Sequence, residues 1–403
     1  MSASKSAASA AASLRLPGTQ PLASTSHSCP VVSFEILPSP DVLSRALPRV
    51  RPQVTPWRAR RYVGARLGLP GTLPLEMTPS QPEAPHAPST HAAAPSAITR
   101  LARTLRGLPP AERWWGPGCA GMAGWLKRAA QSLPPEDLTP RFHALLARVR
   151  QGLPVLPQEA RRHQYVLVRG MLGDELPGYL LDNVQRLERR GLSVREAAVD
   201  TEGLLADNVA VLREVLRDAE YFGRSVVMVG HSKGGVECTA TLALYPELRH
   251  VVRAVVTLQA PYGGSSIAHD LATTPRLRRL IDFAFPLLFH GVSRSVEELS
   301  YPQRQAFIQQ HPYPADIPTV SLATSRLSRT STLYPLQRYL HERYGYQADG
   351  MVTAVDAEVP GARVVRLHDM DHAEAALRGL PGMVRYHPGD LTEVMVALAL
   401  ETR

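Results

Sequence analysis

Ser225-Val226-Val227-Met228-Val229-Gly230-His231-Ser232-Lys233-Gly234-Gly235 is the stretch from which the fold can be read. Four of its first five residues are valine or methionine in an unbroken run, the mark of a short strand buried on both faces. Small residues then interrupt the run, and 233–245 read as a helix. A strand that turns directly into a helix is half of a βαβ unit. The neighbouring sequence repeats the alternation. Tyr165-Val166-Leu167-Val168 reads as a buried strand ending at Gly170. The stretch 177–190 reads as a helix with Tyr179, Leu180, Val184 and Leu187 on one face. A strand is expected over 193–199, a helix over 204–220, and further strands over 251–258 and 364–367. Short apolar strands separated by helices predict an α/β fold with a mostly parallel central sheet and helices on both faces.

The turn itself carries chemistry. Gly230-His231-Ser232-Lys233-Gly234 fits G-x-S-x-G, which raises a serine hydroxyl on a tight strand-to-helix turn. Glycines let the two backbones approach, and the following helix points its N–H groups toward any negative charge formed there. A serine used as a nucleophile needs a base, and the base needs an orienting acid. In this topology the chain order is serine, acid, histidine. Asp349 lies in Ala348-Asp349-Gly350, a polar turn, with Asp356 as its rival. His372 follows the strand at 364–367 in Asp371-His372-Ala373, with His368 as its rival. His250, His290, His311 and His341 read as packing or surface residues, and His231 as a packed residue beneath the turn. Two backbone N–H groups are needed to hold an oxyanion. Lys233, after the serine, and Met171, in the glycine-turned loop 169–173, are the candidates. The Lys233 ammonium has Glu237 one helical turn away.

Taken together, 166–173, 230–235, Ala260-Pro261-Tyr262-Gly263-Gly264-Ser265, Asp349-Gly350 and Asp371-His372 resemble the bacterial triacylglycerol lipases and esterases of the α/β-hydrolase superfamily. The resemblance spans about 165–375. It implies a catalytic triad of Ser232, Asp349 and His372, no cofactor, and a helical lid inserted at about 266–315. The apolar run 281–289 in that insertion implies an acyl chain in a small-molecule or lipid ester substrate. Thioester hydrolysis and acyl transfer use the same parts, and a non-catalytic binding protein of the same fold is the competing class. One departure is Arg169-Gly170, where the family usually has His-Gly; the backbone donor at Met171 survives that change. No calcium pair is evident and no metal site is expected.

Composition removes other classes. The net charge is +9, yet residues 1–160 hold 18 Lys and Arg against 8 Asp and Glu, while the remainder hold 27 against 28. Only Lys5, Lys127 and Lys233 are lysines, and no recognition-helix pattern or aromatic-interleaved basic strip occurs, so nucleic acid is not an expected partner. Cys29, Cys119 and Cys238 are too far apart for a disulfide framework or a zinc site. No run of 18 apolar residues marks a membrane span. Residues 1–95, rich in Ala, Ser and Pro, are expected to be disordered. The first 34 residues carry no Asp or Glu, the composition of an organelle transit peptide as well as of a plain tail. No apolar run follows Lys5 as a secretory signal requires, so a cytoplasmic protein is the leading expectation. A helical preface over 96–160, with Trp114, Trp115 and Trp125, precedes the main domain at 161–403; its tryptophans and arginines also suit transient contact with a lipid interface.

Overall fold

The computed structural model describes residues 135–289, 291–379 and 385–401. The expectations for residues 1–95 and 96–134 lie outside the described residues. In chain order the elements are α1 (Thr139–Arg150), β1 (His163–Val168), α2 (Leu181–Arg189), β2 (Ser193–Glu196), α3 (Leu205–Tyr221), β3 (Ser225–His231), α4 (Lys233–Leu244), β4 (Val252–Leu258), α5 (Ser266–Thr273), α6 (Pro275–Phe289), α7 (Ser293–Glu297), α8 (Tyr301–Gln310), β5 (Thr319–Thr324), α9 (Tyr334–Tyr344), β6 (Arg363–Leu367) and α10 (Pro388–Leu400).

The strands form one sheet in the order β2-β1-β3-β4-β5-β6, and every neighbouring pair is parallel. The chain leaves β1 toward β2, then returns to place β3 on the other side of β1. That reversal opens a crevice beyond the strand ends, where open α/β sheets take their ligands. Register pairs Val168, the last residue of β1, with Gly230, one residue before β3 ends at the crevice.

Alternate strand residues feed two cores, as the period of two requires. Tyr165, Leu167, Val227, Val229, Val256 and Leu322 pack with Phe142 of α1, Leu187 of α2 and Val394 of α10. Val166, Val168, Val226, Met228 and Val255 pack with Leu212 and Leu216 of α3, Cys238 of α4 and Ile308 of α8. Helices therefore cover both faces. α1 begins with Pro140 in its first turn, where the missing N–H costs nothing, and buries Phe142, Leu145, Leu146 and Val149 along one stripe. Each such side chain contributes roughly 1.5–3 kcal/mol on burial.

Differences from the expected elements have local causes. The helix expected from 177 begins at Leu181, because Pro177-Gly178 interrupts it and both Gly178 and Leu180 take positive φ. β2 stops at Glu196 instead of reaching 199. The region 266–310 is a run of four helices between β4 and β5. In α6, Phe283 is 73% exposed, whereas Ile281 is half-buried against an apolar cluster that also holds Met171. The side chains of 284–289 lie outside the described residues. Among the described residues no helix is long and apolar enough to cross a membrane.

Candidate active site

The site assembles where β1, β3 and β4 end. β3 closes at His231 and α4 opens at Lys233, which leaves Ser232 alone in the turn at φ 53° and ψ −126°. Such a backbone costs a side-chain-bearing residue on the order of 1–3 kcal/mol and survives only where its surroundings enforce it. Here the Ser232 N–H donates to the Leu258 carbonyl at 2.9 Å, and the Ser232 carbonyl accepts from the Gly235 N–H at 3.0 Å. Gly234 is required by close approach: a Cβ there would overlap the Val168 carbonyl oxygen at the end of β1. Gly170 is required in the same way, since its Cβ would stand 2.7 Å from the Ser232 Cβ.

Asp349 and His372 are brought to this serine from two later loops. His372 Nε2 lies 2.9 Å from Ser232 Oγ, and His372 Nδ1 lies 2.9 Å from Asp349 Oδ2. A carboxylate can only accept, so Nδ1 carries the proton and the Nε2 lone pair faces the serine hydroxyl. Asp349 is 1% exposed, and its carboxylate is fully hydrogen-bonded. Oδ1 accepts from the N–H groups of Met351 and Val352 at 2.9 and 2.8 Å, and Oδ2 also accepts from Thr324 Oγ1 at 3.2 Å. The His372 N–H donates to the Asp349 carbonyl at 3.1 Å, which joins the two loops through their backbones.

The two candidate oxyanion donors are the N–H of Met171, one residue past Gly170, and the N–H of Lys233, the residue after Ser232. Among the described residues neither the Met171 nor the Lys233 N–H donates a hydrogen bond. Lys233 is also the first residue of α4, so its N–H sits at the positive end of the helix dipole. The Lys233 side chain turns away and is fully buried, with Nζ 2.8 Å from Glu237 Oε1 and 3.3 Å from the Thr201 carbonyl. Burial pushes the Glu237 carboxyl up, against the pull of Lys233.

The rivals lie elsewhere. Asp356 accepts from Tyr301 Oη at 2.9 Å and Thr353 Oγ1 at 2.7 Å, and burial raises its carboxyl to about 6. His368 pairs with Ser325 Oγ. Arg169 spans Glu196 at 2.7 Å and Asp174 at 2.8 Å, so its side chain ties the loop after β1 to the end of β2. Among the described residues no group of three or more His, Cys, Asp or Glu could hold a metal ion.

Other residues at the site lie outside the candidate triad and oxyanion donors. Gln259, at φ 55° just beyond β4, donates to Thr324 Oγ1 and to the Asp371 carbonyl. Asp371 holds the His372 loop by accepting from Ser331 Oγ at 2.6 Å and from the Ala373 N–H at 3.0 Å. Glu374 pairs with Arg326 across the same loop, and burial raises its carboxyl to about 7. Each is an ordinary polar residue until folding brings it beside the strand ends.

No family model and no curated protein matches the chain. Among solved structures, a metagenomic carboxyl esterase is similar over 75% of this chain and 99% of its own, at 21% identity and a TM-score of 0.55. The mature lipase BlEst2 of Bacillus licheniformis matches 55% of this chain and 89% of its own, at 26% identity and a TM-score of 0.44. EstA of Clostridium botulinum matches 67% of this chain and 98% of its own, at 13% identity and a TM-score of 0.42. With the parallel sheet and the strand-to-helix serine turn, the first of these shows that the chain has the α/β-hydrolase fold.

Proposed function

We propose that this α/β-hydrolase-fold protein is a serine hydrolase that cleaves carboxylic esters. The observation that carries the reading is the hydrogen-bonded line Ser232 Oγ, His372 Nε2, His372 Nδ1, Asp349 Oδ2, with both contacts at 2.9 Å. A line of this kind lets a neutral hydroxyl act as a nucleophile at moderate pH. Ser232 Oγ attacks the acyl carbon while its proton passes to His372 Nε2. The carbonyl oxygen becomes an oxyanion and takes hydrogen bonds from the Met171 and Lys233 N–H groups. The bond from the acyl carbon to the alcohol oxygen then breaks, and His372 returns its proton to the departing alcohol. Water repeats the sequence on the acyl-serine, releasing the acid and restoring the Ser232 hydroxyl. Asp349 accepts from His372 Nδ1 and holds the imidazole tautomer throughout. No cofactor enters any step.

The helices at 266–310 serve in this reading as the acyl-side cap, with Ile281 and Met171 in one apolar cluster. The likeness to a carboxyl esterase supports an ester as the substrate class. Labelling with a fluorophosphonate probe tests the reading. The parent protein is expected to label and to hydrolyse p-nitrophenyl butyrate, and Ser232→Ala to do neither. Labelling that persists in Ser232→Ala, or a parent that is inert to both, would overturn it.

A further inference from the structure

We propose that Glu202 is a positioning residue for the oxyanion site, acting through the backbone of Leu172; this rests on the serine-hydrolase reading above. The loop after β1 presents four consecutive N–H groups, and three have acceptors inside the protein. Gly170 donates to Tyr179 Oη at 3.2 Å, Leu172 to Glu202 Oε1 at 2.6 Å, and Gly173 to the Gly170 carbonyl at 3.0 Å. Among the described residues the Met171 N–H has no acceptor, which leaves it to point at a substrate. Glu202 draws the adjacent amide to the other side of the chain, which separates the two N–H directions. The cost of that separation is visible in Leu172, which adopts φ 61°, a conformation a leucine holds only when its neighbours enforce it.

Glu202 is built to hold such a bond. It is 4% exposed, so water does not compete for the carboxylate. Its other oxygen accepts from Thr201 Oγ1 at 2.6 Å. Its own backbone lies in a tight turn: the Glu202 N–H donates to Asp200 Oδ1 at 3.0 Å, and the Gly203 N–H to the Asp200 carbonyl at 3.0 Å. Asn208 of α3 clamps that turn by donating to the Asp200 carbonyl at 2.6 Å. The same turn reaches the other elements around the serine. The Thr201 carbonyl accepts from Lys233 Nζ, and the Glu202 carbonyl accepts from the Val292 N–H at the head of α7. Glu202 thus sets the direction of one oxyanion donor from a turn braced by the residue that supplies the other.

Removing an oxyanion donor costs 10²–10³ in kcat, and misdirecting one costs part of that. The test compares Glu202→Ala, Glu202→Met and Glu202→Gln in the full-length protein. Glu202→Met refills the volume but offers no acceptor, and it carries the comparison should Glu202→Ala not fold. Both are expected to lower kcat on p-nitrophenyl butyrate by about 10- to 100-fold, with KM within about threefold. Affinity for an alkyl trifluoromethyl ketone, which binds as a tetrahedral adduct bearing an oxyanion, is expected to fall by the same factor as kcat. Glu202→Gln keeps an amide oxygen for the Leu172 N–H and is expected to recover most of the turnover. Loss of turnover with unchanged ketone affinity, or variants as fast as the parent, would overturn the proposal. A parent that neither turns over ester nor binds the ketone would instead overturn the hydrolase reading on which it rests.

Discussion

His231 donates from Nε2 to the carbonyl oxygen of His372 at 3.0 Å. The residue before the serine therefore grips the backbone of the histidine that faces that serine. Burial and the neighbouring His372 hold the His231 imidazole down at about 3, so it is neutral at working pH. With its one proton on Nε2, Nδ1 must accept, and Tyr179 Oη donates to it at 2.5 Å. Tyr179 Oη in turn accepts the Gly170 N–H. One buried line thus ties the loop after β1 to the loop after β6.

Tyr179→Phe removes a single oxygen from that line and strands two buried groups, the Gly170 N–H and His231 Nδ1. An unsatisfied buried group costs about 1–3 kcal/mol, so the melting temperature is expected to fall measurably. Because both loops loosen, kcat on a short ester is expected to fall about tenfold, well short of the full loss of an oxyanion donor, with little change in KM. Thermal unfolding and steady-state kinetics on one preparation check this. Unchanged stability would mean that the line contributes little.

Asp356 provides a pH-dependent test of stability. Its carboxyl is raised from 3.8 to about 6 by burial, although Thr353 and Tyr301 hydrogen bonds oppose the shift. The folded state then binds this proton more tightly than the unfolded chain does. The resulting stabilisation is complete below 3.8 and is lost as pH rises through about 6. Asp356→Asn removes the titration. Relative to the parent, the variant is expected to gain stability between pH 4 and pH 7.5, by at most about 3 kcal/mol. Urea unfolding at several pH values reads the difference, and a pH-independent offset would contradict it.

Lys233 and Glu237 form an ion pair in which both side chains are 1% exposed. Breaking a buried pair leaves one uncompensated charge and costs about 3–5 kcal/mol, whereas replacing both partners with apolar groups is often neutral. Lys233→Met alone is expected to be severely destabilised, and Lys233→Met with Glu237→Leu to recover most of the loss. A double variant no more stable than the single one would show that the Asn208 amide, which donates to Glu237 Oε1 at 2.6 Å, and the Thr201 carbonyl depend on the charges.

Acyl-chain preference tests the helices at 266–310. Each substrate methylene buried against Ile281 and its neighbours contributes up to about 0.8 kcal/mol. The kcat/KM series from p-nitrophenyl acetate to decanoate is expected to rise by about tenfold or more, and Ile281→Ser to flatten it. Phe283→Ser, at an exposed position, is expected to leave the series in soluble esters unchanged. A flat parent series would remove the acyl-cap role while leaving the serine assignment intact.

Local pattern was enough for the α/β class and for the serine turn, because an unbroken apolar strand running into glycines has few other solutions. It was not enough for β5 or α10. β5 is Thr-Val-Ser-Leu-Ala-Thr, half polar yet wholly buried, since Ser321 and Thr324 spend their hydroxyls on Thr257 and Asp349. α10 is apolar on every side from Val394 to Leu400, so no stripe marks it as a helix. His372 and His368 stand four residues apart beyond β6, and the tertiary structure sets His372 Nε2 2.9 Å from Ser232 Oγ and His368 against Ser325 Oγ.

Residue order along the chain decided which side chains are present in which sequence: a serine on a tight turn, an acid in a polar turn, a histidine after the last strand. Those are short-range facts, carried by glycine's freedom and by hydrophobic period. Distances were decided only by the tertiary structure. Ser232 and His372 are 140 positions apart and meet at 2.9 Å because β3 and β6 end on the same edge of one sheet. Glu202, Tyr179 and Gln259 acquire their tasks in the same way. A polar side chain's task depends on what it faces once water is gone, and that is settled by packing between elements that the local sequence does not encode.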